Sequence, residues 1–111
     1  MNKKTSQLLR RPNDPLMLLL TSLASGPKHG YALSKDVEDF AGVTLSPGTL
    51  YGAITRLEEL GLIAPLEEVD RRRPYRLTTS GAQVLREVTS EMRRLADVGA
   101  ARLRLAIGGV R

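Results

Sequence analysis

The sequence predicts a mainly α-helical fold with one small β-hairpin, followed by a long C-terminal helix. Three observations carry this prediction. Residues 46–61 form an amphipathic helix with sequence signals at both ends. Two short strand-like segments flank a tip of three consecutive arginines, at positions 71–73. From residue 78 onward, apolar residues recur at helical spacing with no matching helix elsewhere in the chain.

Composition narrows the classes of function. The chain has 111 residues, which suits one modest domain, and its net charge of +5 favours an acidic partner, nucleic acid first. It has no cysteine and one histidine, which excludes disulfides and argues against a His-rich metal site. No apolar run is long enough for a membrane span or a signal peptide, so a cytoplasmic protein is expected.

The first predicted helix begins at Asn13-Asp14-Pro15 and ends before Gly26-Pro27. Before it, residues 1–12 read as a basic arm, either a frayed tail or a contact to DNA phosphate or a partner subunit. The helix is apolar on nearly every side, so it is expected to lie centrally or to be covered by a second chain. Its apolar residues are Leu16, Met17, Leu18, Leu19, Leu20 and Leu23.

The second predicted helix opens at Lys28-His29-Gly30-Tyr31 and runs to about Phe40. A lone histidine at a helix start is more often a cap, a core residue or a phosphate contact than a metal ligand or a base, and we favour those roles for His29. After a short connection at 41–45, the third helix follows. Helix, short turn and helix form a helix-turn-helix arrangement, whose second helix reads DNA.

That third helix, residues 46–61, has Ser46 as N-cap, Pro47 in its first turn and Gly61 as its left-handed end. Its face away from the core is mostly small, hydroxylated or aromatic, as in a helix that enters a DNA groove. The alternative is an ordinary amphipathic helix with a polar back. The buried stripe is Leu50, Ile54, Leu57 and Leu60, and the other face carries Gly48, Thr49, Tyr51, Gly52, Thr55, Arg56 and Glu59.

Residues 62–69 and 75–77 are predicted as two strands joined by a turn at 70–74. Pro65 restricts the first strand to a sheet edge or a strand start. The alternative is a solvated charged loop. Three arginines at a tight tip repel one another unless an anion is near, which favours contact with DNA backbone or minor groove.

The last helix is predicted to start at Thr78-Thr79-Ser80-Gly81 with a hydroxyl cap, and to extend on the order of 40 Å. Its apolar seam favours pairing with a second copy of the chain over folding back on its own domain. The seam comprises Leu85, Val88, Met92 and Leu95, continuing at Val98 or Gly99, Leu103 and Ile107, and the end from Gly108 is expected to fray. The predicted dimerisation residues are Leu16, Leu20, Leu85, Val88, Met92, Leu95 and Leu103.

Over roughly residues 15–85, a series of motifs resembles the PadR family. The series contains Gly26-Pro27-Lys28-His29-Gly30-Tyr31-Ala32-Leu33, Leu45-Ser-Pro-Gly-Thr-Leu-Tyr51, Arg56-Leu57-Glu58, Gly61-Leu62-Ile63 and Arg71-Arg-Arg-Pro-Tyr75-Arg-Leu-Thr78, then Gly81. The resemblance implies a winged helix-turn-helix transcriptional regulator, usually a homodimer and often a repressor. The short chain resembles the subfamily with a single C-terminal dimerisation helix.

The resemblance also implies which positions contact DNA: Tyr31, Ser46, Pro47, Gly48, Thr49, Tyr51 and Arg71, Arg72 and Arg73. Gly52 stands where many relatives have proline, which is expected to soften the helix start. Some small relatives bind flat aromatic drugs between subunits with aromatic side chains, and the last helix here has none. A small apolar effector at the dimer interface is expected instead, in a pocket of Leu16, Leu20, Met92 and Leu95.

Together these features predict a sequence-specific regulator of double-stranded DNA that binds a pseudo-palindrome as a homodimer, without a cofactor or enzymatic activity. The predicted regions are a basic arm (1–12), a DNA-binding domain (13–77) and a dimerisation helix (78–111). The alternative is a winged-helix protein-interaction module. The predicted DNA-binding residues are Lys28, His29, Tyr31, Ser46, Pro47, Gly48, Thr49, Tyr51, Thr55, Arg56, Arg71, Arg72 and Arg73.

Overall fold

The computed structural model describes residues 13–109, so the predicted basic arm and the last two residues lie outside the described part. The described residues form a helix-rich domain with one small sheet and a long last helix, as predicted. In chain order the elements are α1 (Pro15–Leu23), β1 (Lys28–His29), α2 (Gly30–Ala41), α3 (Pro47–Glu59), β2 (Ile63–Pro65), β3 (Pro74–Leu77) and α4 (Thr79–Gly109).

Helix α1 lies at the centre of the core. It packs against α2, α3, α4 and β3, and Leu19 and Leu20 are completely buried. Other elements of the same chain therefore cover α1, the helix that the sequence showed to be apolar on nearly every side. Its start is as predicted, because the Asp14 carboxylate accepts a hydrogen bond from the Leu16 N–H at 2.8 Å.

Helices α2 and α3 form the predicted helix-turn-helix. Gly42, with φ of 68°, ends α2 in the left-handed region. Helix α3 packs on α1 through a stripe that includes Leu50, Ile54 and Leu57. Gly61 has φ of 74°, and the Leu62 N–H donates to the Leu57 carbonyl at 2.9 Å, which confirms the predicted glycine end of this helix.

The sheet has three strands rather than the predicted two, in the order β1-β3-β2. Lys28 and His29, predicted as the opening of a helix, pair with Tyr75 and Pro74 of β3. A two-residue strand has no alternating pattern of its own, so sequence periodicity could not reveal it. Strand β2 is also shorter than predicted and ends at Pro65, on the sheet edge where a proline is tolerated.

The turn predicted at 70–74 is confirmed. It closes the hairpin of β2 and β3, residues 63–77, which we call the wing, and its tip has two residues. Asp70 and Arg71 have φ of 50° and 64°, while Val69 and Arg72 exchange two backbone hydrogen bonds of 2.9 Å. Positive φ at both central residues defines the type I′ turn, whose twist matches that of the flanking strands. The tip is therefore a defined hairpin that presents arginine side chains.

Helix α4 has 31 residues, which corresponds to roughly 46 Å at 1.5 Å per residue. The Thr78 hydroxyl accepts from the Gly81 N–H at 3.0 Å, which confirms the hydroxyl cap. The helix continues through Gly108 and Gly109, so the fraying predicted from Gly108 is wrong for these two residues. Within residues 13–109, no helix has the length and hydropathy to cross a membrane.

The two halves of α4 have different surroundings. Val84 and Val88 in the first half are buried against the domain. In the second half, Leu95 and Leu103 are 75% and 64% exposed. A helix face with this much exposed apolar surface lacks a partner within the described part of its own chain.

Two predicted dimerisation residues need correction. Leu20 is 0% exposed and Val88 is 3% exposed within a single chain, so Leu20 offers a partner no surface and Val88 offers almost none. The predicted effector pocket cannot include Leu20 for the same reason. Three more of the predicted residues are partly buried against the core: Leu16, Leu85 and Met92.

Candidate nucleic-acid interface

The start of α3 is held by a local hydrogen-bond network. The Ser46 hydroxyl oxygen accepts from the Thr49 N–H at 3.2 Å and the hydroxyl donates to Thr49 Oγ1 at 2.9 Å. One turn on, the Thr55 hydroxyl donates to the Tyr51 carbonyl at 2.9 Å. The residues predicted to face DNA on this helix are all exposed: Ser46, Pro47, Gly48, Thr49, Tyr51, Thr55 and Arg56.

Replacing Ser46 by alanine removes the N-cap and is expected to lower the free energy of unfolding by about 1 kcal/mol. Ser46→Asp retains a capping oxygen and should lose little. Ser90→Ala is the matched control, since Ser90 is exposed inside α4. Urea unfolding followed by circular dichroism measures all three variants. A Ser46→Ala protein as stable as the unmodified chain would show that the cap contributes nothing.

A cleft of about 350 Å³ lies between the start of α2, the wing and α3. Strand β1 creates it, because its pairing with β3 places His29 beside the wing tip. The cleft brings together, from distant parts of the sequence, six residues that were predicted to contact DNA. Its lining consists of His29, Gly30, Tyr31, Tyr51, Arg71, Arg72, Arg73 and Tyr75.

Two lining residues were absent from the predicted site, Gly30 and Tyr75. Gly30 is buried, and a Cβ placed on it would lie 2.7 Å from the Tyr51 hydroxyl oxygen. Glycine at this position therefore lets the Tyr51 ring lie against the start of α2. Burial raises the pKa of Tyr75, and the nearby Glu58 carboxylate raises it further. The phenol therefore keeps its proton to a higher pH than an exposed tyrosine does. The sequence did offer one signal that Tyr75 belongs to the site, because Tyr75 lies in a predicted strand next to the three arginines.

The three wing arginines have different surroundings. The Arg73 guanidinium donates to the Leu66 carbonyl at 2.7 Å and lies 3.9 Å from the Glu68 carboxylate, so it braces the wing itself. Arg72 Nη1 lies 3.5 Å from His29 Nε2, across the cleft. Within residues 13–109 the Arg71 side chain makes no hydrogen bond or ion pair, which leaves it the freest of the three.

Lys28 does not join this surface. Its ammonium group donates to the Ser25 hydroxyl at 2.7 Å and to the Ser22 carbonyl at the end of α1, and it lies 3.9 Å from the Asp36 carboxylate. The Ser22 hydroxyl also donates to Asp36 at 2.6 Å. This arrangement argues against the predicted DNA contact of Lys28, because its ammonium group already stabilises the carbonyl end of a helix.

Comparison with known proteins agrees with this architecture. Residues 19–87 match the model of the transcriptional regulator PadR-like family. The chain belongs to this family. The matched region runs from α1 into α4 and includes the helix-turn-helix, the wing and the whole cleft. The resemblance noted in the sequence motifs is thereby confirmed.

Individual relatives are similar to this chain over part of their length. A protein of transposon TN4556 from Streptomyces fradiae, described as an uncharacterized 37.1 kDa protein, is 48% identical over 86 residues, which are 78% of this chain and 25% of that protein. The transcriptional regulator YqjI of Escherichia coli K12 is 36% identical over 73 residues, 64% of this chain and 35% of YqjI. The chain thus spans between a quarter and about a third of these relatives.

Solved structures show the same fold. A PadR family transcription regulator from Clostridium difficile R20291 superposes with a TM-score of 0.71 at 26% identity, covering 80% of this chain and 97% of that one. A PadR family regulator from Eggerthella lenta gives a TM-score of 0.66 at 38% identity, covering 79% of each chain. The predicted winged helix-turn-helix class is therefore confirmed.

Proposed function

We propose that this PadR-like chain is a transcription regulator that binds double-stranded DNA as a homodimer. The observation that carries the proposal is the continuity between helix α3 and the arginine-lined cleft. Tyr51 belongs to both, since it is exposed on α3 and lines the cleft beside Arg72. A duplex that meets α3 would thus meet the wing at the same time.

In the proposed complex, α3 lies in the major groove and the wing contacts the phosphate backbone. The Ser46 and Thr49 hydroxyls bond each other at 2.9 Å but retain lone pairs that accept from base edges. Arg56 is exposed on the same helix and can reach guanine or phosphate. Phosphate contacts from Arg71 set affinity and register, whereas contacts from α3 select the sequence.

The second half of α4 supports the proposed homodimer, because its exposed leucines need a partner. Two chains joined there would place two α3 helices on half-sites about 34–36 Å apart. A groove of about 300 Å³ lined by Val88, Glu91, Met92 and Leu95 adjoins this face. An apolar effector bound there would release a repressor if it favours one spacing of the two α3 helices.

Fluorescence anisotropy with duplex DNA from the upstream region of the gene tests the proposal. We expect binding that survives an excess of unrelated duplex and saturates at two chains per site. Binding that disappears equally with any competitor would reject sequence-specific regulation. No affinity for any duplex, even at low salt, would favour a winged-helix module that binds protein.

Arg71→Gln should weaken binding to specific and unrelated DNA alike, and should reduce the slope of log affinity against log salt by roughly one unit. Without the arginine charge, the protein displaces one counterion fewer from DNA. Glutamine, like arginine, is not a glycine, so the substitution does not change the cost of the left-handed backbone at this turn position. Arg76→Gln is the matched control, because Arg76 is an exposed arginine of β3 that does not line the cleft. An unchanged slope in Arg71→Gln would contradict the proposed role of the wing.

A further inference from the structure

The His29 imidazole has an N–H donor facing each of its nitrogens. The backbone N–H of Ala32 points at Nδ1 at 3.4 Å, and Arg72 Nη1 lies 3.5 Å from Nε2. A neutral imidazole has only one acceptor nitrogen, and an imidazolium has none. At most one of the two neighbours can therefore donate to His29.

The backbone contact is the one that persists. The Ala32 N–H belongs to the first turn of α2, where backbone donors have no intrahelical partner, and His29 is the N-cap. Arg72 is exposed, so its guanidinium is free to turn toward water or an anion. A ring that accepts from Ala32 at Nδ1 carries its proton on Nε2. Two donors, His29 Nε2–H and the Arg72 guanidinium, then converge on the same space.

We propose that His29 and Arg72 form an oxyanion site at the cleft rim, where one phosphate oxygen accepts from both side chains. Such charge-assisted hydrogen bonds are the strong class, and they would resolve the donor–donor conflict. None of the described residues that line the cleft carries a carboxylate. Asp70 lines the adjacent hollow, but forms no ion pair with either side chain within residues 13–109.

The phosphate can come from the DNA backbone or from a free phosphate ion. The first source rests on the proposed function, whereas the second does not. If free phosphate binds, it should compete with DNA more strongly than chloride at the same ionic strength. The site would then make DNA affinity depend on the kind of anion present as well as on its amount.

The protein is suited to a direct test because His29 is its single histidine. In the untagged chain, ¹H–¹⁵N spectra of the imidazole should show the Nε2–H tautomer. Inorganic phosphate, added at constant ionic strength against chloride, should shift these signals saturably. Arg72→Gln should abolish the shift, and Arg76→Gln should leave it unchanged.

The DNA arm uses operator duplexes with a single uncharged methylphosphonate at each backbone position in turn. One position should cost the unmodified protein about tenfold in affinity, as expected for loss of a charge-assisted hydrogen bond. The methylphosphonate at that same position should cost the Arg72→Gln variant less than about twofold in affinity, because this variant already lacks the guanidinium that binds the phosphate. His29→Asn is a second variant that keeps a capping side chain on α2 while removing the ring N–H.

The outcomes separate the two proposals. A response in either arm supports the oxyanion site and identifies the phosphate source. The Nδ1–H tautomer would overturn the site. So would operator binding with no response in either arm, and the proposed function would then stand. A phosphate shift in a protein that binds no DNA would support the site and reject the proposed function. No DNA binding and no phosphate shift would overturn both.

Discussion

Gly81→Ala should destabilise the domain by about 3 kcal/mol or more, because the added methyl group has no room. Gly81 is buried in the first turn of α4, where a Cβ would overlap the Leu62 carbonyl oxygen and lie 2.9 Å from Leu77 Cδ1. The carbonyl cannot easily move, since it accepts from the Thr78 N–H at 3.1 Å. To make room for the methyl group, α4 would have to shift away from the turn that follows α3.

Urea unfolding followed by circular dichroism measures this loss, at one protein concentration because a dimer couples stability to concentration. Gly52→Ala is the matched control. Gly52 is an exposed glycine within α3 whose added Cβ meets nothing within 4 Å. It should gain about 0.5–1 kcal/mol from better helix propensity. A Gly81→Ala protein as stable as the unmodified chain would show that α4 does not approach Leu62 this closely.

The double variant Leu95→Glu/Leu103→Glu should be monomeric and should bind operator DNA at least about 100-fold more weakly. Both leucines are exposed on the second half of α4, at 75% and 64%. In the proposed dimer they become buried, and a carboxylate without a partner is costly there. In a dimer, binding at one half-site raises the effective concentration of the second α3 helix at the other half-site. A monomer lacks this gain.

Sedimentation velocity measures the monomerisation, and anisotropy on the operator measures affinity. The charge-matched control is Gln83→Glu/Ser90→Glu, since both positions are exposed on α4 and lie on the side of the helix away from Leu95 and Leu103. Urea unfolding of the monomeric variant checks that the domain, whose core uses neither leucine, still folds. A double leucine variant that remains dimeric would place the interface elsewhere on the chain.

The surface that would meet DNA was only partly predictable. The caps of α1, α3 and α4 follow from residues next to the helices they begin, and short-range hydrogen bonds confirm them at Asp14, Ser46 and Thr78. The arginine tip was equally visible, because its turn is local. These signals depend on a few neighbouring residues, so no knowledge of the tertiary structure is needed to interpret them.

The cleft could not be predicted in the same way. It depends on β1, a strand of two residues that exists only because β3 pairs with it from more than 40 positions away. The same two-residue strand holds Lys28, whose ammonium group donates to the end of α1, and His29, which lies 3.5 Å from Arg72. Nothing in the local pattern of either segment encodes the other.

The helix-turn-helix, the basic hairpin and the long last helix could be predicted from the sequence alone, because periodicity, caps and turn residues act over a few positions. Which of those residues share a surface depends on the tertiary structure. In this chain the fold buries Leu20 and Val88 and leaves Leu95 and Leu103 exposed. Packing of distant segments sets these environments, and a helical stripe does not reveal which chain will cover it.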